Sequence, residues 1–259
     1  MPLIDPTIFD EWLPPHSLEW YEQLSHLQGE YIYPWESSLS QINGESMFDQ
    51  EVLEMIANKK VLDVGCGHGE FTLECSLVAK EIIGFDVTND FIQTAKMNKK
   101  TNVTFIHGNT KYGLPFKNNE FESAYIRKGP TSAYPLLNRV VKDGGVIMGL
   151  HPGDESGKEL PVLFPKLFTD TKGTPILDTI KMRLRESNFT TTNIEVINST
   201  EYLKSPEDVI KYRCFGQNPR IYQVLIDENL DEISKIFERN ATEDGLPITH
   251  SRYFVHATV

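Results

Sequence analysis

The sequence predicts an α/β protein: a doubly wound, mostly parallel sheet of seven strands, with a helical N-terminal cap and a helical insertion before the last strand. Three observations predict it. Short apolar runs alternate with helix-period stretches from residue 61 onward. The first of those runs opens into a loop with glycine at every second position. Between residues 203 and 245 the alternation gives way to two helical stretches, and an alternating segment then closes the chain.

Taken in order, residues 1–45 are rich in aromatics (Phe9, Trp12, Trp20, Tyr21, Tyr31, Tyr33, Trp35) and prolines. That mixture predicts short helices and turns packed as a cap segment rather than a flexible tail. In ESMFDQEVLEMIANK, Phe48, Val52 and Ile56 recur at four-residue spacing, the stripe of an amphipathic helix. VLDVG (61–65) is the first strand, and a helix of about twelve residues is expected through Ala79. EIIGFDV (81–87) is the second strand, with Thr88 or Asn89 placed to cap the next helix. VTFIHG (103–108) and FESAYI (121–126) follow as strands three and four. A helix near 131–141 leads through Asp143-Gly144-Gly145 into VIMGLHP (146–152), and a helix near 175–187 into TNIEVINS (192–199). SRYFVHATV alternates as the closing strand. Residues 46–259 thus form one domain carrying 203–245 as an insertion, in which Ser205 is placed to cap SPEDVIKYRCF. The insertion is expected over the carboxyl edge of the sheet, where open α/β sheets bind ligands.

Composition narrows the function classes. Of 259 residues, 39% are hydrophobic and 24% charged, as in a globular protein rather than a disordered one. No apolar run approaches the roughly 20 residues of a membrane span, and the acidic, proline-broken start does not read as a signal peptide. Three cysteines (Cys66, Cys75, Cys214) show no metal-type spacing, and their odd number argues against a disulfide framework. A cytoplasmic location is expected. The net charge of −12, from 25 basic and 37 acidic residues, weighs against a polynucleotide partner. Three local basic groupings remain: Lys96, Lys99 and Lys100; Arg127 with Lys128; and Lys181, Arg183 and Arg185. The first and third read as solvated helix faces.

The most informative segment is Val61-Leu62-Asp63-Val64-Gly65-Cys66-Gly67-His68-Gly69-Glu70-Phe71. Glycines between a strand and a helix let the backbone turn sharply and approach a ligand without Cβ interference, and the helix start favours a negative ligand group. Dinucleotide folds use G-x-G-x-x-G; here the spacing is D-x-G-x-G-x-G. Asp86 ends the second strand, 21 positions after Gly65. A carboxylate there can accept from both hydroxyls of a ribose.

The D-x-G-x-G-x-G loop resembles motif I of the class I S-adenosyl-L-methionine (SAM)-dependent methyltransferases. The resemblance covers residues 61–150 and implies that SAM is the cofactor. It implies that Gly65, Cys66, Gly67 and Gly69 receive the methionine part of SAM, and that Asp63 meets its ammonium group directly or through water. Asp86 and Val87 would lie at the ribose. Gly108, Asn109 and Thr110 fall where the family often has Gly-Asp-Ala, whose acid accepts from the adenine amino group. Asn109 departs from that acid, yet its amide oxygen still accepts and its nitrogen can donate.

The end of the fourth strand, Ile126-Arg127-Lys128-Gly129-Pro130, would lie nearest the transferred methyl in that family. It carries neither the Asn- or Asp-Pro-Pro-aromatic mark of nucleic-acid amino methyltransferases nor a Pro-Cys pair. Arg127 is a candidate contact for the acceptor or the cofactor carboxylate, against the alternative of a surface or structural arginine. His151 is a candidate base because histidine titrates near neutrality, against a helix- or loop-capping role. The segments 31–35 and 202–215 are candidates for an aromatic lid. The favoured reading is methyl transfer from SAM to an oxygen or nitrogen of a small molecule. The rivals are an RNA methyltransferase working through a local basic surface and a non-catalytic SAM-binding sensor. Oligomeric state is left open.

Overall fold

The apolar runs form parallel strands covered on both faces. The computed structural model describes residues 3–98 and 100–259; Lys99, one of the basic grouping above, lies outside the described residues. The strands are β1 (Ser37–Leu39), β2 (Lys60–Val64), β3 (Glu81–Asp86), β4 (Val103–His107), β5 (Phe121–Arg127), β6 (Val141–Pro152), β7 (Thr191–Leu203) and β8 (Leu246–Thr258). The helices are α1 (Leu18–Gln28), α2 (Gly44–Met55), α3 (Glu70–Cys75), α4 (Asn89–Met97), α5 (Tyr134–Val140), α6 (Leu160–Leu163), α7 (Pro175–Glu186), α8 (Pro206–Arg213) and α9 (Pro219–Asn240). No helix among the described residues is long and apolar enough to cross a membrane.

The sheet order is β1-β7-β8-β6-β5-β2-β3-β4. The pairs β2–β3, β2–β5, β3–β4 and β5–β6 are parallel, whereas β8 runs antiparallel to β6. The sheet therefore has eight strands where the sequence predicts seven. The additional one is β1, whose Ser37, Ser38 and Leu39 pair antiparallel with Leu203, Tyr202 and Glu201. Three residues carry no readable period; the edge offered by β7 makes them a strand.

Two further expectations are corrected. The helix after the glycine loop spans six residues rather than twelve. Past Cys75 the chain is held by Asn102, whose side-chain amide donates to the carbonyls of Ser76 and Ala79. The Asp143-Gly144-Gly145 segment is an interruption within β6, not a turn ahead of it: the register with β5 jumps between Phe121↔Val141 and Ser123↔Val146.

The chain divides into two units. The first contains Gly44–Asp154, Thr174–Ile197 and Arg252–Val259. Its sheet buries Leu62, Val64, Ile83, Phe85 and Ile126 with residues of α5 and α7 on one face. Val61, Ile82, Tyr125 and Met148 face the other way, with Phe48 and Val52 of α2. Alternate residues of one strand thus serve two cores, which is why these strands read as continuous apolar runs.

The second unit contains Met1–Asn43, Glu155–Gly173 and Asn198–Ser251. Its core joins Leu160, Phe164, Val209, Ile210, Leu225 and Ile233. The Ser205 hydroxyl accepts from Asp208 N, capping α8. The aromatics of residues 31–35 meet Phe215: the Tyr33 and Trp35 rings stack at 4.5 Å and the Phe215 ring lies edge-on to both. Trp20 donates its indole N–H to the Phe215 carbonyl at 2.9 Å.

Candidate functional site

β2 ends at Val64 and the chain turns through Gly65, Gly67 and Gly69, all with positive φ. Gly65 is required by packing. A Cβ there would stand 2.6 Å from the Gly129 Cα, because the ends of β2 and β5 touch. Gly67 differs, since a Cβ on it would meet nothing within 4 Å. The middle of the loop therefore faces open space while its first glycine is packed against the neighbouring strand end.

Asp63 sits one residue before the end of β2, with only 2% of its surface exposed. Its Oδ2 accepts from the Thr72 hydroxyl of α3 at 2.6 Å and from the Tyr125 hydroxyl of β5 at 2.9 Å. Its Oδ1 is buried and has no hydrogen-bond partner. Burial, partly offset by the two hydroxyl donors and aggravated by the nearby Asp86 charge, pushes this carboxyl up to about 7.

Asp86 ends β3 across the loop. Its Oδ2 accepts from Gly67 N at 2.9 Å and its Oδ1 from Thr88 N at 2.8 Å. Burial raises its pKa also, against these amide donors. Thr88 takes the N-cap position of α4 without a side-chain cap hydrogen bond, and the Asp86 carboxylate holds its backbone N–H. The Val87 N–H and the Thr88 hydroxyl also bear on this carboxylate. Cys66 places its sulfur beside Gly84, where a Cβ would come within 2.9 Å of it, and burial lifts its thiol pKa well above the ordinary value.

Gly108 continues from β4, its N–H donating to the Asp86 carbonyl at 2.8 Å, and the His107 Nε2–H donates to the Val87 carbonyl at 3.0 Å. Asn109 Oδ1 accepts from Lys111 N at 2.8 Å, capping a short turn. The Thr110 hydroxyl lies 2.8 Å from that of Ser132. The positions expected around a nucleoside are thus brought together at the ends of β2, β3 and β4.

Arg127 ends β5. Its Nε and one terminal nitrogen bond Asp49 of α2 at 2.7 and 2.8 Å, and the guanidinium lies 4.9 Å from the Phe71 ring centre. Glu45 of α2 gathers Lys128 at 3.2 Å and Arg252 at 2.7 Å. Lys128 has φ +61, and its N–H donates to the Leu150 carbonyl at 2.7 Å. His151 lies inside β6, in register with Tyr253, and 2% exposed. Its Nε2 is 2.8 Å from the Tyr134 hydroxyl, and burial lowers its pKa to about 4.

Sequence reading missed Thr72, Tyr125, Asp49 and Glu45. Tyr125 comes opposite Asp63 only through the β2–β5 register, which no local pattern announces.

The family model described as a methyltransferase domain matches residues 56–199, and the chain belongs to that family. S-adenosyl-L-methionine is the cofactor of this class. An uncharacterized methyltransferase of Synechocystis is 30% identical over 140 residues, covering 47% of this chain and 65% of that protein. A 23S rRNA uracil-C5-methyltransferase of Shewanella frigidimarina is 36% identical over 83 residues, covering 29% of this chain and 18% of its own length. The chain therefore spans less than two thirds of either relative. A crystal structure of a functionally unknown protein from Deinococcus radiodurans shares the fold, with a TM-score of 0.61, 18% identity, and coverage of 93% of this chain and 99% of that one.

The residues present fit SAM by two observations made on this chain. A cationic ammonium needs an acceptor, and Asp63 Oδ1 is a buried acceptor without one. A ligand close to backbone needs a residue without a side chain facing space, and Gly67 is such a residue.

Proposed function

We propose that the protein transfers a methyl group from SAM to an oxygen or nitrogen of a small molecule. The observation that carries the cofactor half of this reading is the unpartnered Asp63 oxygen beside the open glycine loop. Bound SAM supplies a methyl on a positively charged sulfur. Asp63 holds the ammonium, and the Gly65–Gly69 turn, with Cys66 within it, gives the methionine part room. Asp86, at the end of β3, is the acceptor for the ribose hydroxyls, with Val87 alongside. Gly108, Asn109 and Thr110 border the adenine. The chain's remaining task is to align the acceptor and exclude water.

Arg127 is assigned to a structural role in this reading, since Asp49 engages it on two nitrogens. His151 is assigned to packing, because its Nε2 faces Tyr134 and burial holds the ring neutral. The cap of residues 1–45 and the insertion of 203–245 are the segments assigned to acceptor choice.

A small acceptor is favoured over RNA by charge. The net charge is −12, and several residues of the local basic groups are held by partners of their own. Lys100 donates to the Leu73 carbonyl and the Ser76 hydroxyl, Arg183 pairs with Glu186, and Arg127 and Lys128 face Asp49 and Glu45. Calorimetric titration with SAM and S-adenosylhomocysteine, on wild type and Asp86→Ala, tests the reading. Wild type is expected to bind both, and the variant to lose roughly a hundredfold in affinity, the scale of two charge-assisted hydrogen bonds. Absence of binding to either ligand overturns the reading. RNA binding that falls steeply with salt favours the RNA rival, and SAM binding without turnover across an acceptor screen favours the sensor.

A further inference from the structure

We propose that Tyr125 is a positioning residue for the cofactor: with Thr72 it claims one oxygen of Asp63, so that the other, Oδ1, is presented as a fixed acceptor for the ammonium group of SAM. This rests on the methyl-transfer reading above and assigns a role to a residue outside the glycine loop.

The geometry argues for it in three steps. Asp63 stands on β2 with Tyr125 of β5 opposite it in register, and Thr72 reaches it from α3. Both hydroxyls bond the same oxygen, Oδ2, at 2.6 and 2.9 Å. One donor would let the carboxylate turn about its last bond and exchange its oxygens; two donors from different elements hold its plane. The opposite oxygen is left buried and without a partner. An orphaned acceptor costs free energy in the unliganded protein, a cost that an arriving ammonium removes.

The hydroxyl of Tyr125 is also separable from its ring. The ring is buried in the core with Val61, Ile82 and Met148, and Phe71 lies edge-on to it at 5.6 Å. Phenylalanine fills the same space, so Tyr125→Phe keeps the ring and removes the hydroxyl, with its bond to Asp63 and its contact with the Cys75 thiol. If Asp63 were present only for packing, its neighbours would satisfy both oxygens or an apolar residue would stand in its place.

The test compares two ligands. S-adenosylhomocysteine carries the ammonium; methylthioadenosine has the same nucleoside and no amino acid part. Tyr125→Phe is expected to weaken the first by about tenfold, one charge-assisted hydrogen bond's worth of ordering, and to leave the second unchanged. Thr72→Val is expected to do the same, with Thr72→Ser restoring wild-type affinity. The pH profile is a further readout. A hydroxyl donating to a carboxylate favours its charged form. Its removal is therefore expected to move the acid-side loss of S-adenosylhomocysteine affinity to higher pH. The other groups facing Asp63 stay in place in these variants: Asp86 on β3, Arg127 on β5, Cys75 on α3 and Cys66 in the loop. Equal weakening of both ligands, or unchanged affinity and pH profile, overturns the inference while leaving the methyl-transfer reading standing. Failure of wild type to bind S-adenosylhomocysteine overturns that reading, and this inference with it.

Discussion

Asp63 and Arg127 stand on adjacent strands, near strand ends that touch at Gly65 and Gly129, yet they are satisfied in opposite ways. Arg127 commits two nitrogens to Asp49 and rests against the Phe71 ring. Asp63 is more deeply buried and keeps one oxygen with no partner at all. The difference teaches that a charged group kept for a ligand is marked by what its surroundings leave undone. A charged group at the right strand end, fully engaged by its own chain, carries no such mark.

The largest effect is expected where this contrast meets the backbone. Gly65→Ala forces a Cβ against Gly129 at a positive φ and is expected to cost about 3 kcal/mol or more in urea unfolding. Gly67→Ala meets open space and is expected to cost about 1 kcal/mol of backbone strain, while sharply weakening SAM. Equal destabilisation by the two substitutions would erase the distinction between a packing glycine and a ligand-facing one.

A middle effect is expected from pH. The folded-state pKa of Asp63 is raised from 3.8 to about 7. Its contribution to the stability of the unliganded protein is therefore complete below about pH 4 and lost as pH rises through about 7. His151, lowered to about 4, acts with the opposite sign: its contribution is present above about pH 6.5 and lost as pH falls towards 4. Subtracting wild type from Asp63→Asn cancels His151. The variant is expected to gain on the order of 2 kcal/mol over wild type between about pH 4 and pH 8, measured by urea unfolding without ligand. A flat difference would mean that the Asp63 carboxylate is well solvated.

The smallest effect is expected at the satisfied end. Arg127→Ala leaves Asp49 without its bidentate partner and is expected to cost about 1 kcal/mol of stability, with Arg127→Lys recovering only part. SAM affinity is expected to stay unchanged. A selective loss of SAM binding in Arg127→Ala would instead make the arginine a cofactor contact.

The sequence made the alternation of strands and helices legible, as well as the loop and its two acids, because each is written in residues a few positions apart. The partners that give those acids their character are not local. Tyr125 lies 62 positions from Asp63 and Asp49 lies 78 from Arg127; only strand register and helix docking bring them together. His151 illustrates the same limit. It was readable as the end of a strand at a ligand-binding edge. The strand ends at Pro152 as read, but β8 pairs along that end, Tyr253 against His151 and Arg252 against Pro152, and the histidine becomes an interior residue. The eighth strand escaped for a different reason: Ser-Ser-Leu has no pattern until β7 stands beside it.

The place of β8 in the sheet has a consequence for how the protein is made. β8 lies between β7 and β6 in the strand order, although it follows both in the chain by more than forty residues. While a ribosome is still extending the chain through α8 and α9, β6 has β5 on one side and an open row of amides and carbonyls on the other. An exposed strand edge of that kind is a template for pairing with another nascent chain. Pairing of residues 246–258 is what closes it, so a chain that lacks them is expected to be aggregation-prone along β6.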